Sequence, residues 1–257
     1  MALALAAVWL LSLALLKKDL GKTKGKSRFR DVFSKSRAVN VPVAARLFLF
    51  ASRDVWFVVA LPVFLASQFG WDHWLVGGFL ALWIIGYGIV QAAAPRITGM
   101  QSGGLPDGRS AFRWAIVLAV IPALIATALI GGIHPAASLL GGLLLFGIVF
   151  AVSSSLHSYL IVSYAREDGV SMDVGFYYMA NALGRLLGTL LSGWVYQHAG
   201  LEACLWISSG FLLLTAAISV LLPKHRGAQT TLKENEKAWP PAAFGRGVGE
   251  PAARLTI

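Results

Sequence analysis

Three arginines interrupt long apolar runs of the 257-residue chain, where a charge is costly. Arg53, with Asp54 beside it, and Arg185 lie deep in such runs, and Arg46 lies near the start of one. A guanidinium binds carboxylate or phosphate groups through two parallel hydrogen bonds. We therefore predict that Arg53 and Arg185 contact an anionic substrate, with Asp54 as their charge partner or as a proton carrier.

Structural interpretations of the same charges stay open. Arg185 pairs with a carboxylate such as Asp54 in one of them, and a substrate that displaces this internal pair would reconcile both interpretations. Arg53 and Asp54 are adjacent in sequence, so we expect their side chains to point in different directions and to find separate partners. Arg46 is expected to extend its charged end to the nearest interface.

The segment around Arg185 carries two rows of residues at helical spacing. Asn181, Arg185 and Thr189 form a polar row, in which Asn181 is predicted to support anion binding through hydrogen bonds. The neighbouring row contains small residues, which allow a second helix to approach closely. We predict that this row is a helix-packing stripe of Ala180, Gly184, Gly188 and Ser192.

His157 follows a run of serines and titrates near neutrality, so it is a second candidate proton carrier, although a packing role for this run is the alternative. The sequence lacks a glycine-rich phosphate loop followed by Lys-Ser/Thr, and it lacks clustered Cys and His with metal-ligand spacing. We therefore expect no catalytic residues, no metal site, no cofactor and no enzymatic activity.

The elements that carry these residues are predicted to be membrane helices. The chain is 57% hydrophobic and 13% charged, whereas soluble domains are about 45–50% apolar and about 25% charged. A helix of about 20 apolar residues crosses a bilayer. Seven segments qualify: Ala2–Leu16, Val41–Ser67, Trp74–Ala94, Trp114–Ile133, Ala136–His157, Val174–Gln197 and Glu202–Leu222. The predicted fold is an all-α membrane protein with about seven transmembrane helices.

The first segment is short enough to resemble a signal peptide. We interpret it as a retained helix because no basic residue precedes it and Lys17 and Lys18 follow it.

The net charge of +10 reflects topology in this interpretation, and it implies no nucleic-acid partner. All but three of the 22 lysines and arginines fall on one side of the membrane if the seven spans alternate. Basic loops face the cytoplasm. We expect a multi-pass membrane protein with its N-terminus outside and its C-terminus in the cytoplasm.

The order of segments suggests a protein built from repeated halves, as many transporters are. Residues 1–16 are predicted to be the truncated last helix of an N-terminal half, residues 17–38 a basic cytoplasmic linker, residues 39–222 a six-helix C-terminal half and residues 223–257 a flexible cytoplasmic tail.

Two stretches resemble a known family. AARLFLFASRDVWFVV at residues 44–59 and VGFYYMANALGR at residues 174–185 are similar to the organoarsenical efflux permeases of bacterial arsenic-resistance operons, within the major facilitator superfamily. The resemblance extends from about Leu3 to Pro223 and leaves the tail unmatched.

This resemblance implies secondary active efflux of a small organic anion, such as the arsenate ester 1-arseno-3-phosphoglycerate, and therefore arsenic resistance, with protons as possible coupling ions. Family members have two halves with the binding site between them, whereas this chain has about seven of the twelve spans. An N-terminal half that is missing or separately encoded is thus an expected partner. The alternative function is a non-transporting or split half-permease that acts as a membrane interaction partner.

Overall fold

The computed structural model describes the backbone of residues 37–98, 108–164 and 170–222, and the side chains of residues 40–98, 108–161 and 175–222. The predicted helix at 1–16, nearly all of the predicted linker at 17–38 and the predicted tail at 223–257 lie outside the described residues. The boundaries proposed for these segments therefore stay predictions.

The described part of the chain folds into α-helices and contains no strand, which confirms the predicted all-helical class. The helices are α1 (Arg37–Phe57), α2 (Ala60–Phe69), α3 (His73–Ile97), α4 (Gly108–Ile130), α5 (Pro135–Tyr164) and α6 (Val170–Val220).

Five helical segments in the described ranges are long and apolar enough to cross a membrane, so the chain is a multi-pass membrane protein. They are Asn40–Phe69, His73–Ile97, Gly108–Ile130, Pro135–Ile161 and Gly175–Val220.

The last of these segments belongs to α6, which consists of two antiparallel helices. A straight helix of 51 residues would be about 77 Å long, more than twice the apolar thickness of a bilayer. Gly200 breaks it with a φ of 78° and a ψ of −175°, a conformation open to glycine. Beyond the break, Cys204 Sγ lies 4.0 Å from the Ser192 carbonyl oxygen, so the chain has reversed. We call residues 170–199 α6a and residues 201–220 α6b.

The first span is also interrupted, between α1 and α2. Pro62 lacks an N–H group, and its ring clashes with the carbonyl four residues earlier, which belongs to Val58. The helix opens into a turn at Val58 and Val59. The freed Ala60 N–H donates to Ser192 Oγ of α6a at 3.1 Å. A neighbouring helix thus satisfies a backbone group that lipid could not.

The buried core lies among α1, α4, α5 and α6, and its largest fully buried side chains include Trp56, Phe146 and Phe150. The α3 helix is peripheral, because it buries one side on α5 and exposes Leu82 and Ile89 on the other. Exposed apolar side chains are expected on helices that face lipid. The core therefore holds α1, α5 and α6a in one bundle with α4, and α1, α5 and α6a carry the predicted site residues.

Candidate anion-binding site

Asp54 holds two arginines through its two carboxylate oxygens. Arg53 Nε donates to Asp54 Oδ1 at 2.6 Å, and Arg185 Nε donates to Asp54 Oδ2 at 3.1 Å. The Asp54 side chain is 1% exposed. The expectation that Arg53 and Asp54 find separate partners is therefore wrong, because the long arginine side chain folds along the helix to its neighbour.

This ion cluster of Arg53, Asp54 and Arg185 carries one excess positive charge. Both Nε groups are occupied by Asp54, and the terminal Nη groups of the two arginines have no hydrogen-bond partner among the described residues. The side chain of Arg185 is 57% exposed, whereas that of Arg53 is 13% exposed. The arrangement leaves guanidinium N–H donors available to an oxyanion on the Arg185 side.

Aromatic rings cover the Arg53 guanidinium. Its central carbon lies 5.2 Å from the ring centre of Phe50 and 5.3 Å from that of Phe150. Cation–π contacts of this kind stabilise a desolvated guanidinium while leaving its in-plane N–H groups available. The two rings also fix the direction in which Arg53 presents its charge.

Arg46 does not extend to an interface as expected, because it is 4% exposed and bound within the helix bundle. Its Nη1 donates to the Ser154 carbonyl at 2.8 Å and to Ser158 Oγ at 2.9 Å. Its guanidinium lies over the rings of Phe50 and Tyr177, at 4.5 and 4.4 Å from their centres. Hydrogen bonds and aromatic rings replace the water that would otherwise solvate the Arg46 guanidinium.

The small residues of α6a lie against α1. A Cβ on Gly184 would collide with the backbone of Leu47, and a Cβ on Gly188 would lie 2.7 Å from the Ala51 carbonyl oxygen and 3.0 Å from Asp54 Cβ. Because Gly188 follows Arg185 by less than one turn, this close approach also brings Arg185 within reach of Asp54. Ala180, at 4% exposure, and the fully buried Ser192 complete the row.

The structure does not bring Asn181 or His157 into hydrogen-bond contact with the ion cluster. Asn181 Oδ1 is buried and has no partner among the described residues. His157 is fully buried, its Nδ1 donates to the Ser153 carbonyl at 2.9 Å, and its buried Nε2 has no partner there either. Their predicted roles in hydrogen-bond support and proton transfer stay predictions.

A cavity of about 480 Å³ lies between α3 and α5, and sequence reasoning missed it. Aromatic and glycine residues supply much of its wall, among them Phe79, Trp83, Gly86, Tyr87 and Gly147. The glycines of these two segments are visible in the sequence, but a cavity depends on which neighbours leave space beside them. Within the described ranges, no group of three His, Cys, Asp or Glu residues has the geometry to hold a metal ion.

A multi-pass helical membrane protein with charged side chains clustered within its spans has the features of a transporter. The family model described as Major Facilitator Superfamily matches residues 108–253, which is more than half of the chain. The chain belongs to the Major Facilitator Superfamily.

The chain is also similar to the quinolone resistance protein NorB of Staphylococcus aureus (strain bovine RF122 / ET3-1). The two are 31% identical over 97 residues, a stretch that covers 34% of this chain and 21% of the relative. The match therefore spans about a fifth of that relative's length.

Proposed function

We propose that this chain forms the C-terminal half of a secondary active exporter and that the ion cluster of Arg53, Asp54 and Arg185 binds a small organic anion. The observation that supports this most is the exposed Arg185. It shares one buried carboxylate with Arg53, so the cluster keeps an uncompensated positive charge on its open side. A charge held at membrane depth for packing alone would be expected to be neutralised by its partners.

Binding proceeds by addition of the anion to the free Nη groups. A carboxylate or phosphate oxygen accepts hydrogen bonds from Arg185 and then from Arg53, and its charge competes with that of Asp54 for both guanidinium groups. Weakening of the Arg185–Asp54 contact loosens α6a from α1. Asp54 is the charge partner in this exchange, and Asp54 and His157 are the candidate proton carriers.

The proposed substrate class includes an arsenate ester such as 1-arseno-3-phosphoglycerate, and the proposed physiological role is arsenic resistance. The resemblance of residues 44–59 and 174–185 to organoarsenical efflux permeases supports this choice. The relative that is named for quinolone resistance supports a role in resistance to a toxic compound more generally. The proposed location is the bacterial inner membrane with the C-terminus in the cytoplasm.

A second candidate function is that of a half-permease that pairs with another helical half. The α6a helix exposes Tyr178, Leu186 and Trp194, at 62%, 56% and 63%, beside Arg185. Lipid would cover the apolar side chains but not the guanidinium. A second protein half across a polar cavity would cover the apolar side chains and would leave the guanidinium in a polar environment. This requirement favours pairing with another half to form the transport pathway.

Growth of an arsenate-sensitive bacterium tests the proposal. Cells that make the arsenate ester and express this chain should survive arsenate better than cells with an empty vector, and Arg185→Ala should remove the gain. Arg96→Ala is the matched control, because Arg96 is an exposed arginine at the end of α3. If the chain protects only together with an added N-terminal half, the pairing function is supported. Equal protection by the Arg185→Ala variant would contradict the assigned site.

A further inference from the structure

The outer face of α4 begins with two exposed arginines. Arg109 and Arg113 lie one helical turn apart and therefore on the same side of the helix. Among the side chains that the structure describes, no carboxylate pairs with either of them. Two like charges at this spacing repel each other, which destabilises a helix unless an anion lies beside them.

The same side of α4 continues as an apolar face. Val117, Val120 and Leu124 follow Arg113 at intervals of four, three and four residues, and all three are exposed. The α4 helix is long and apolar enough to cross a membrane, and an exposed apolar face on such a helix contacts lipid acyl chains. A molecule that covers the whole side has hydrocarbon beside Val120 and an anion beside Arg109.

The length of α4 places the arginine pair at the depth of lipid headgroups. Its 23 residues extend about 35 Å, slightly more than the ~30 Å apolar thickness of a bilayer. Arg109 therefore lies at the interface, and Arg113, about 6 Å deeper, can extend its long side chain to the same level.

Gly108 fixes the start of α4 against the end of α6b. A Cβ built on Gly108 would lie 2.8 Å from the Ser219 carbonyl oxygen and 2.9 Å from Leu222 Cβ. Only a residue without a side chain allows this approach. The two arginines that follow are consequently held at a defined depth on the surface of the bundle.

We propose that Arg109 and Arg113 bind the phosphate group of an anionic phospholipid whose acyl chains lie along the apolar face of α4. A guanidinium binds phosphate oxygens through parallel hydrogen bonds, and basic residues at a membrane surface attract anionic lipids. A zwitterionic lipid carries its own ammonium group, so it does not offset the repulsion between the arginines. This proposal is independent of the ion cluster and requires only that the chain lies in a membrane.

The described carboxylates of the chain are too distant to serve as the missing anion. Asp54 is bound within the ion cluster. Asp72 caps the start of α3, and a full span separates it from the start of α4. Glu202 lies near the start of α6b, about 26 Å along the helix from Ser219, which contacts Gly108. Charge complementarity therefore favours an anion supplied by the membrane.

The test measures lipid binding to the full chain, purified in a nonionic detergent, by native mass spectrometry. Phosphatidylglycerol is compared with phosphatidylcholine that has the same acyl chains. We expect phosphatidylglycerol to bind about tenfold or more tightly. The double substitution Arg109→Gln with Arg113→Gln should remove this preference and leave phosphatidylcholine binding unchanged, which also shows that the variant is folded.

Arg96→Gln is the matched control, because Arg96 is an exposed arginine at the end of α3 without a second arginine on that helix. We expect it to change the preference by less than about twofold. A preference that survives the double substitution, or that is lost equally in Arg96→Gln, would overturn the proposal. Glycerol 3-phosphate has the headgroup charge without acyl chains, so it should compete poorly. If it displaces phosphatidylglycerol at an equal concentration, the arginines bind free phosphate and the lipid assignment is wrong.

Discussion

Arg185 Nε and Asp54 Oδ2 lie 3.1 Å apart, which ties α6a to α1 across 131 positions of the chain. The contact depends on Gly188, because the absence of a side chain there lets the two helices approach closely. A Cβ built on Gly188 would lie 3.0 Å from Asp54 Cβ. The close packing at Gly188 and the Arg185–Asp54 ion pair therefore belong to the same contact between α6a and α1. Separate substitutions can alter the packing or the ion pair.

Replacement of Arg185 should affect binding far more than stability. The Arg185 side chain is largely exposed, and Arg53 continues to hold Asp54 when Arg185 is removed. We expect Arg185→Gln to change the free energy of unfolding by less than about 1 kcal/mol, or about 2–4 °C in thermal midpoint. Thermal unfolding of the purified chain in detergent measures this. A larger loss would indicate that the contact is a structural link.

Replacement of Asp54 should reduce stability more than replacement of Arg185 does. Asp54→Asn leaves two guanidinium groups near each other without a carboxylate. We expect a loss of about 3 kcal/mol, the lower end of the range for a broken buried ion pair, because the Arg185 side chain is only partly buried.

Asp72→Asn is the matched control for that experiment. Asp72 caps α3 by accepting the Leu75 N–H at 2.7 Å, and asparagine caps helices equally well. We expect its thermal midpoint to match that of the unaltered chain. If both variants unfold at the same temperature, the Asp54 carboxylate does not stabilise the bundle.

The small-residue row predicts a sharp difference between two glycines of α6a. Gly184→Ala should destabilise the chain by about 1–3 kcal/mol, because the new methyl group collides with the Leu47 backbone. Gly193→Ala should be neutral or stabilise by up to about 1 kcal/mol, since a Cβ there meets no atom within 4 Å and alanine favours helix. Chemical unfolding compares the two. Equal effects would contradict the close approach of α6a to α1.

The break between α1 and α2 predicts a similar contrast between two serines. Ser192→Ala leaves the Ala60 N–H without its acceptor and should cost about 1–3 kcal/mol. Ser208 is also buried, but its hydroxyl has no hydrogen-bond partner among the described residues. Ser208→Ala should therefore change the unfolding free energy by less than about 0.5 kcal/mol. A Ser192→Ala variant as stable as Ser208→Ala would contradict the cross-helix bond.

The helical class and the spans could be predicted because both depend on local sequence. Bilayer thickness sets the length of an apolar run, and glycine at position 200 and proline at position 62 mark breaks through their own backbone chemistry. The described helices accordingly fall on the six predicted segments between residues 41 and 222.

Side-chain partners were harder to predict, because they depend on helices that are distant in sequence. Arg46 was expected at an interface, yet Ser158 and Tyr177 provide its surroundings from α5 and α6a. Arg53 and Asp54 were expected to find separate partners because their Cβ atoms point in different directions, but that argument does not account for the length of an arginine side chain. The cavity beside Gly86 depends on space between two helices, and no local pattern encodes that space.

The central claim is that the ion cluster binds the oxyanion group of a substrate, and equilibrium binding of labelled inorganic phosphate to the purified full chain tests it most directly. We predict saturable binding that weakens about tenfold or more in Arg185→Ala and stays unchanged in Arg96→Ala. Binding that is the same in the unaltered chain and in Arg185→Ala, or that falls equally in both variants, would contradict the claim.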